Sequence, residues 1–271
     1  MAPDTASTSW QSWLREQVRN GADLGEATLA LRRNGIPVPE IAAAFEALRP
    51  RDSALASGRL EPPPLLTNPP AALRRADVAG FDLYTLDGFL TPAHCARLAA
   101  LADDHLAPSP LSGAYGDNAF RTSRTCVLAH LDHPEARAID DLVCRTLGIR
   151  ADYGEAIQAQ RYDVGQQFKA HVDYFMPGSQ EYLRFAELRG NRTWTFMVYL
   201  NEGMVGGGTH FTEVGHTVTP KTGLALLWNN LHPDGSPNPL TRHAGEPVTR
   251  GHKVILTKWF RVRGNGPLFV D

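Results

Sequence analysis

The part of the chain after residue 156 is a succession of short β-prone segments separated by turns rich in glycine and proline. The segments cover 157–162, 168–175, 193–200, 217–220, 224–228 and 253–262. Parallel strands need crossover connections of about a dozen residues or more, usually helical, and no long helical pattern separates these segments. The sequence therefore predicts an α+β fold, mainly β, in which two antiparallel sheets form a barrel or jelly roll with helices supporting one face.

Upstream of this region the composition changes twice. Residues 1–50 carry apolar side chains at helical spacing, among them Trp10 and Leu14, with Asn-Gly pairs where helices would end. Residues 51–77 include a cluster of prolines, which neither a helix interior nor a central strand accommodates. We expect a small helical region over 1–50, a proline-rich linker over 51–77 and the β domain over 78–271. The helical region either packs on the β domain, docks a partner or self-associates.

The charge balance and the cysteines argue against several classes of protein. Lys and Arg number 27 against 29 Asp and Glu, a formal charge of -2, so the chain lacks the basic surface expected of a nucleic-acid binder. No apolar run approaches the roughly 20 residues that cross a bilayer, so no membrane partner is expected. Three cysteines without CxxC spacing, Cys95, Cys126 and Cys144, indicate reduced thiols and not a disulfide framework or a zinc site. These features predict a cytoplasmic protein.

Three His-x-Asp pairs offer candidate metal ligands. They are His130 with Asp132, His171 with Asp173, and His232 with Asp234. In the third pair a proline separates the two residues and a glycine follows, a composition typical of turns. The first pair directly precedes a predicted helix, for which Asp132 would be an N-terminal capping residue. Only the middle pair lies in a segment with strand propensity, 168–175, where residues two apart project from the same face. His171 and Asp173 are therefore the candidate pair.

A site of two histidines and one carboxylate needs a third ligand, for which His243 is the candidate. A few residues later begins the segment 253–262, in which alternation places Lys253 and Trp259 on one face. A lysine on the inward face of a β domain is costly unless an anion pairs with it. We expect that anion to be a ligand carboxylate.

These residues belong to a longer ordered pattern. The pattern consists of Tyr162, Gly165, His171, Asp173, His243, Gly245, Pro247, Val248, Gly251, Lys253 and Trp259. It resembles the iron(II)- and 2-oxoglutarate-dependent dioxygenases of the prolyl 4-hydroxylase type, whose core is a double-stranded β-helix. The resemblance covers about 81–263 and includes the FLTPAHC segment at 89–95 and a glycine-rich stretch at 206–211. The spacing of ten between His243 and Lys253 is also the family's spacing.

The resemblance implies a role for each of the candidate residues. His171, Asp173 and His243 would be the iron ligands, Lys253 would bind the C5 carboxylate of 2-oxoglutarate, Tyr162 and Thr195 would line the cosubstrate pocket, and Trp259, Arg121 and Ser123 would contact the substrate. No catalytic residue beyond the metal ligands is implied, since the protein mainly orients the substrates and excludes water.

The resemblance further implies a hydroxylase that oxidises an unactivated carbon, most plausibly of a proline in a peptide or protein. Iron(II), 2-oxoglutarate and O2 would be used, with ascorbate as a reductant, and succinate and CO2 would be released. Phe168 stands where many peptidyl relatives have tyrosine, and Gly208 stands where a glutamate is common. Hydroxylation of a free amino acid or other small molecule is therefore an alternative, and loops at 109–118 and 176–191 would set the substrate.

Two alternatives come from other classes of protein. One is a non-catalytic metal-binding jelly-roll interaction protein, and the other is a zinc hydrolase with the same three ligands. Neither explains a buried cation at Lys253, and no general-base glutamate stands beside the ligands.

Overall fold

The structure is a computed structural model that describes residues 10–19, 30–31, 33–37, 40, 44, 73–109, 120–179, 181–186 and 189–264. The chain divides into two compact units. One consists of Met1–Leu60 with Phe175–Asn191, and the other of Glu61–Tyr174 with Arg192–Asp271. We refer to them as the small unit and the large unit.

In the small unit, one helix lies where the sequence predicts helices. Helix α1 is Trp10–Arg19. The rest of the helical region expected over 1–50 falls mostly outside the described residues. The segment 176–191, expected to be a covering loop, contains a π-helical turn at Tyr182–Ala186. Asn191 joins the ends of this segment, because its side-chain amide accepts from the backbone N–H of Phe175 and donates to the Phe175 carbonyl oxygen.

The large unit is built from fourteen described strands and two helices. The strands are β1 Leu73–Arg75, β2 Leu83–Leu86, β3 Ala107–Pro108, β4 Arg124–Val127, β5 Gln158–Tyr162, β6 Phe168–His171, β7 Arg192–Tyr199, β8 Val205–Gly206, β9 Thr209–Phe211, β10 His216–Val218, β11 Ala225–Asn229, β12 His243–Gly245, β13 Val248–Arg250 and β14 Lys253–Arg261. The helices are α2 Pro92–Asp103 and α3 Pro134–Leu147. Strand β1 lies in the range expected to be linker, of which residues 51–72 fall outside the described part.

The strands form two main antiparallel sheets, as the sequence predicts. The major sheet has eight strands in the order β1-β2-β11-β7-β14-β5-β4-β3, and the minor sheet has four in the order β10-β9-β12-β6. Strands β8 and β13 pair separately. Neighbours in a sheet are mostly distant in sequence, which is the crossing connectivity of a jelly roll. The predicted fold class, a mainly β jelly roll or double-stranded β-helix with supporting helices, is confirmed.

Alternation along the central strands divides the core into two layers. On β7, Trp194, Phe196 and Val198 pack with the helices α2 and α3 on one side of the major sheet. Met197 and Tyr199, on the opposite face of the same strand, pack between the two sheets. A strand buried on both faces explains why β7 reads as an almost continuous apolar run. The candidate site lies in the layer between the sheets.

Each of the two helices has a side chain that caps its N-terminus, and the cap of α3 is His133 and not Asp132 as the sequence predicts. Thr91 caps α2, since its hydroxyl accepts from the backbone N–H of His94, and proline follows at the first helical position. Helix α3 is capped by His133 and ends at Gly148 in the left-handed region. The three cysteines are buried free thiols. Among the helices that the structure describes, none is both long enough and apolar enough to cross a membrane.

Candidate metal centre

The two candidate histidines lie side by side on neighbouring strands of the minor sheet. His171 ends β6 and His243 begins β12, and the two residues are register partners in the antiparallel pair. Their ring centroids lie 4.4 Å apart, with the ring planes at 54°. Phe168 stacks on the His171 ring at 3.5 Å, and the edge of Trp228 packs against His243 at 4.9 Å. Packing therefore fixes both imidazoles.

Each imidazole is also oriented by a hydrogen bond to the backbone. Nδ1 of His171 lies 2.9 Å from the carbonyl oxygen of Lys169, and Nδ1 of His243 lies 2.9 Å from that of Thr241. Because a carbonyl only accepts, Nδ1 carries the hydrogen in both rings and Nε2 keeps its lone pair. Burial lowers the pKa of His171 from 6.5 to about 3, so this imidazole stays neutral at physiological pH. Neutral imidazoles are the form that binds a metal.

Asp173 supplies the carboxylate, but not from the strand position that the sequence predicts. Strand β6 ends at His171, and Asp173 lies in the bend that follows, so the segment expected as strand over 168–175 is half as long. Its Oδ1 lies 3.7 Å from Nε2 of His171, and its Oδ2 lies 3.9 Å from Nε2 of His243. The bend, and not strand alternation, brings this carboxylate to the histidines.

The environment of Asp173 keeps it ionised. Burial alone would raise its pKa, but the two histidines, Arg192 and a hydrogen bond from Thr195 outweigh burial and lower it. The Thr195 hydroxyl donates to Oδ2 of Asp173 at 2.7 Å. Asp173 is therefore an anion that has been desolvated and held in one orientation.

The three side chains fit a divalent transition metal. One ligand atom from each of His171, Asp173 and His243 lies within 4.8 Å of the others, and within the described ranges this is the one group of three or more His, Cys, Asp or Glu with that property. Two imidazole nitrogens and one carboxylate on one side of an ion suit iron(II) and leave positions for other ligands. The absence of a cysteine ligand disfavours a structural zinc site.

Lys253 lines the same pocket as the metal ligands. It begins β14, is 1% exposed, and is the register partner of Tyr162 on β5. Its Nζ donates to the carbonyl oxygen of Gly207 at 2.8 Å and lies 4.9 Å from the centroid of the Tyr162 ring. Burial lowers its pKa from 10.5 to about 7, an effect that Glu246 partly offsets. Among the described residues it makes no ion pair, so the site suits an incoming carboxylate.

One pocket contains the metal ligands and this lysine. Its walls come from both sheets and include three further predicted residues, Tyr162, Thr195 and Trp259. The lining residues are Gln160, Tyr162, Phe168, His171, Asp173, Thr195, Met197, Thr209, Trp228, His243, Gly245, Lys253, Ile255, Thr257 and Trp259. The expected inward face of β14 is therefore confirmed by Lys253, Ile255, Thr257 and Trp259.

Tyr162 and Thr195 differ in how they use their hydroxyl groups. The ring of Tyr162 flanks Lys253, and its hydroxyl donates to Oε1 of Gln160 at 3.1 Å. Burial raises the pKa of Tyr162, so the phenol remains protonated. Thr195 lines the pocket, as predicted, and its hydroxyl donates to Asp173. Its contact with the metal ligand was not foreseen.

The three residues expected to contact a substrate lie at this pocket or beside it. The guanidinium of Arg121 lies 4.9 Å from the Phe168 ring centroid, and its Nε donates to the Ser123 hydroxyl at 3.3 Å. Trp259 stacks under Arg192, whose Cζ lies 4.1 Å from the ring centroid. The indole Nε1 of Trp259 is buried and has no hydrogen-bond partner within the described structure. This donor is available to a bound molecule. Of the covering loop expected at 109–118, residues 110–118 lie outside the described part.

The two rejected His-x-Asp pairs lie away from the pocket. The side chain of Asp132 is 94% exposed and pairs with Arg137, while the neighbouring His133 caps α3. Asp234 accepts from the backbone N–H and the hydroxyl of Ser236 in a turn. The choice of His171 and Asp173 among the three pairs agrees with the geometry.

Sequence reasoning missed the polar residues that support the metal ligands. Asn230 donates to Thr195, and Arg192 donates to the carbonyl oxygen of Asp173 at 3.3 Å. Glu155 in turn accepts two hydrogen bonds from Arg192 and one from Arg261. No motif marks these residues, because each acts through a partner far away in the sequence. A buried asparagine following the apolar segment 224–228 is the one signal that could have drawn attention.

Comparisons with known proteins agree with this site. A model of the 2OG-Fe(II) oxygenase superfamily matches residues 157–261, a range that holds all three ligands and Lys253. The chain is 31% identical over 204 residues to the probable prolyl 4-hydroxylase 4 of Arabidopsis thaliana. This alignment covers 66% of this chain and 67% of that protein. It is 34% identical over 156 residues to prolyl 4-hydroxylase subunit alpha-1 of Gallus gallus.

The match to the animal subunit is partial. It covers 57% of this chain but only 30% of the length of that subunit. Among solved structures, a viral collagen prolyl hydroxylase of Paramecium Bursaria Chlorella virus-1, in complex with 2OG, aligns with a TM-score of 0.52 and 25% identity. That alignment covers 66% of this chain and 94% of the viral chain.

Proposed function

The chain belongs to the 2OG-Fe(II) oxygenase superfamily, and from this premise we propose that it hydroxylates a proline residue in a peptide or protein. The observation that supports this proposal is a single pocket. It is lined by His171, Asp173 and His243, a ligand set for iron(II), and by the buried Lys253. The names of the similar proteins support proline as the target.

In this proposal the three ligands hold iron(II) and Lys253 binds the distal carboxylate of 2-oxoglutarate. When bound, iron and 2-oxoglutarate supply the oxidising power that places one atom of O2 on a C–H bond and the other in succinate, with loss of CO2. The ammonium of Lys253 gives the carboxylate a charge-assisted hydrogen bond. The ring of Tyr162, which flanks this amine, limits where the carboxylate can lie.

The substrate side of the pocket is assigned to Arg121, Ser123 and Trp259. The orphaned indole N–H of Trp259 and the guanidinium of Arg121 are donors, and a peptide bond offers carbonyl acceptors to both. Burial of the pocket walls excludes water, which protects a reactive centre from side reactions. Lys253 also disfavours a non-catalytic metal protein, since such a protein has no need of a buried cation.

The remaining parts of the proposal concern partners and location. We propose that the helical region at 1–50 docks a partner or a second copy, and that the protein is cytoplasmic. The buried free thiols Cys95, Cys126 and Cys144 support a reducing compartment. Ascorbate remains a prediction for the reductant.

The test is mass spectrometry of candidate substrates. The protein is incubated in air with iron(II), 2-oxoglutarate and either a proline-rich peptide or free L-proline. We expect a gain of one oxygen on a peptide proline, located by fragmentation, and succinate in equal amount. Oxygen gained only by free proline would contradict the peptide assignment. Iron binding without succinate from any substrate would contradict the enzymatic function.

A further inference from the structure

A chain of buried hydrogen bonds leads from the core to the metal carboxylate. Nε1 of Trp228 donates to Oδ1 of Asn230 at 3.0 Å, and Nδ2 of Asn230 donates to the Thr195 hydroxyl at 2.8 Å. That hydroxyl donates to Oδ2 of Asp173 at 2.7 Å. These four residues are between 0% and 6% exposed, so water does not compete for the bonds.

The direction of every bond in this chain is determined by chemistry. An indole N–H can only donate, so the atom of Asn230 that faces Trp228 must be its oxygen. The amide NH2 of Asn230 is then forced towards Thr195 and occupies a lone pair of its hydroxyl. The hydrogen of Thr195 is left for the carboxylate of Asp173, which can only accept.

Backbone pairing holds these four hydrogen-bonded residues in place. Trp228 on β11 is the register partner of Thr195 on β7. The backbone N–H of Asn230 donates to the carbonyl oxygen of Thr193 at 2.7 Å, and its own carbonyl oxygen accepts from the N–H of Asn238 at 2.9 Å. The backbone of Asn230 is therefore held by a hydrogen bond at its N–H and another at its carbonyl oxygen, which positions its side chain.

We propose that Asn230 is a positioning residue for the metal site: through Thr195 it fixes the plane of the Asp173 carboxylate so that one oxygen is left for the ion. Asp173 Oδ2 accepts from Thr195 and lies 3.9 Å from Nε2 of His243, whereas Oδ1 has no hydrogen bond from Thr195 and lies 3.7 Å from Nε2 of His171. Removing a hydrogen-bond partner that orients a metal ligand typically weakens metal binding by about 10–100-fold. The inference rests on the proposed function, since it assumes that this site binds a divalent metal.

The test measures the dissociation constant of the full chain for Mn(II) alone, from the free Mn(II) signal in electron paramagnetic resonance. Thr195→Val removes the hydroxyl at constant shape, and Thr195→Ser keeps it. We expect roughly tenfold weaker binding or more for the valine variant and near wild-type binding for the serine variant. Asn230→Ala should also weaken binding by roughly tenfold.

A double-mutant cycle separates positioning from a general structural defect. If Asn230 acts through Thr195, the double variant that combines Asn230→Ala with Thr195→Val should bind Mn(II) no more weakly than Thr195→Val alone. Additive losses would overturn the proposal. Asn229→Ala is the matched control, because the Asn229 side chain accepts from the backbone N–H of Leu231 and takes no part in the chain of bonds. Its affinity should stay within about twofold of wild type.

Two further outcomes keep the test decisive. If Asn230→Ala does not fold, Asn230→Leu fills a similar volume and removes both side-chain hydrogen bonds, and its loss of affinity should likewise vanish in the Thr195→Val background. If the wild-type protein binds no Mn(II), both the proposed function and this inference are contradicted. If wild type binds and the Asn230 and Thr195 variants bind equally well, only the inference fails.

Discussion

His171 and His243 lie directly opposite each other on β6 and β12. Because side chains alternate along a strand, a slip of one residue in this pairing would move one imidazole out of the pocket. The register is held by strand pairing and by the contacts of Phe168 and Trp228 with the rings. Strand pairing and packing therefore orient both imidazoles.

The first prediction distinguishes the three His-x-Asp pairs. Asp173→Ala should abolish turnover and weaken Mn(II) binding by at least about 100-fold, because it removes one of the three ligands. Asp132→Ala and Asp234→Ala are the matched controls, since both residues are exposed and neither lines the pocket. Isothermal titration with Mn(II) and a succinate assay check this. Equal losses in all three variants would show that the wrong pair was chosen.

The sequence predicts the individual residues of the site better than the hydrogen bonds between them. His171, His243 and Lys253 could be found because each stands in or next to a β-prone segment and repeats a family spacing. The inward face of β14 followed from alternation alone and is confirmed. The mainly β class followed from the spacing of turns. These features depend on local pattern, which a single sequence contains.

Other features depend on contacts between distant segments and could not be predicted. Asp173 reaches the histidines from a bend after β6, and no propensity scale gives the direction of a bend. The family resemblance places Thr195 in the cosubstrate pocket and gives no partner for its hydroxyl. Its partner became visible only when β7 and the bend were placed together. Asn230 was missed for the same reason.

The second prediction is that binding of 2-oxoglutarate depends on pH through Lys253. Its pKa is lowered to about 7 by burial, so the amine is charged below pH 7 and increasingly neutral above it. A bound carboxylate favours the ammonium and raises this pKa, so binding above pH 7 takes up a proton. The dissociation constant of 2-oxoglutarate should be flat below pH 7 and then rise by up to about tenfold per pH unit.

This pH dependence is measured by anaerobic titration calorimetry of the Mn(II)-loaded protein between pH 6 and 9. Lys253→Met should bind 2-oxoglutarate at least about tenfold more weakly, with the slope above pH 7 removed. Lys221→Met is the control, because that amine is exposed and pairs with Asp87. A slope that persists in Lys253→Met would assign the titration to another group.

The third prediction concerns the substrate side of the pocket. Arg121→Gln should raise the KM for a proline-containing peptide by roughly tenfold, since it removes one charge-assisted contact. Mn(II) affinity should change by less than this KM, because the guanidinium packs on Phe168 and Ser123 and acts on Asp173 and His171 only through its charge. Steady-state kinetics with peptide and free proline provide the measurement. A change in metal affinity of the same size would indicate a structural role.

The fourth prediction is that Glu155 supports the stability of the large unit. Its carboxylate accepts from Arg192 and Arg261, both of which are mostly buried. Removing one partner from a buried ion pair leaves the other charge uncompensated, so Glu155→Gln should lower the free energy of unfolding by about 3 kcal/mol. Glu135→Gln breaks a surface pair with Arg97 and should cost less than about 1 kcal/mol. Denaturant titration at pH 7 measures both.

The same carboxylate should make stability depend on acid in a defined range. Burial alone would raise the pKa of Glu155, but Arg192 and Arg261 outweigh it and lower the pKa from 4.5 to about 2. A carboxyl with a lowered folded-state pKa contributes its full stabilisation above the unfolded value, and loses it as pH falls towards the folded value. The difference in unfolding free energy between wild type and Glu155→Gln should therefore be constant above about pH 4.5 and shrink between about pH 4.5 and 2. A difference that does not change over this range would mean that packing, and not the charge of Glu155, stabilises this part of the fold.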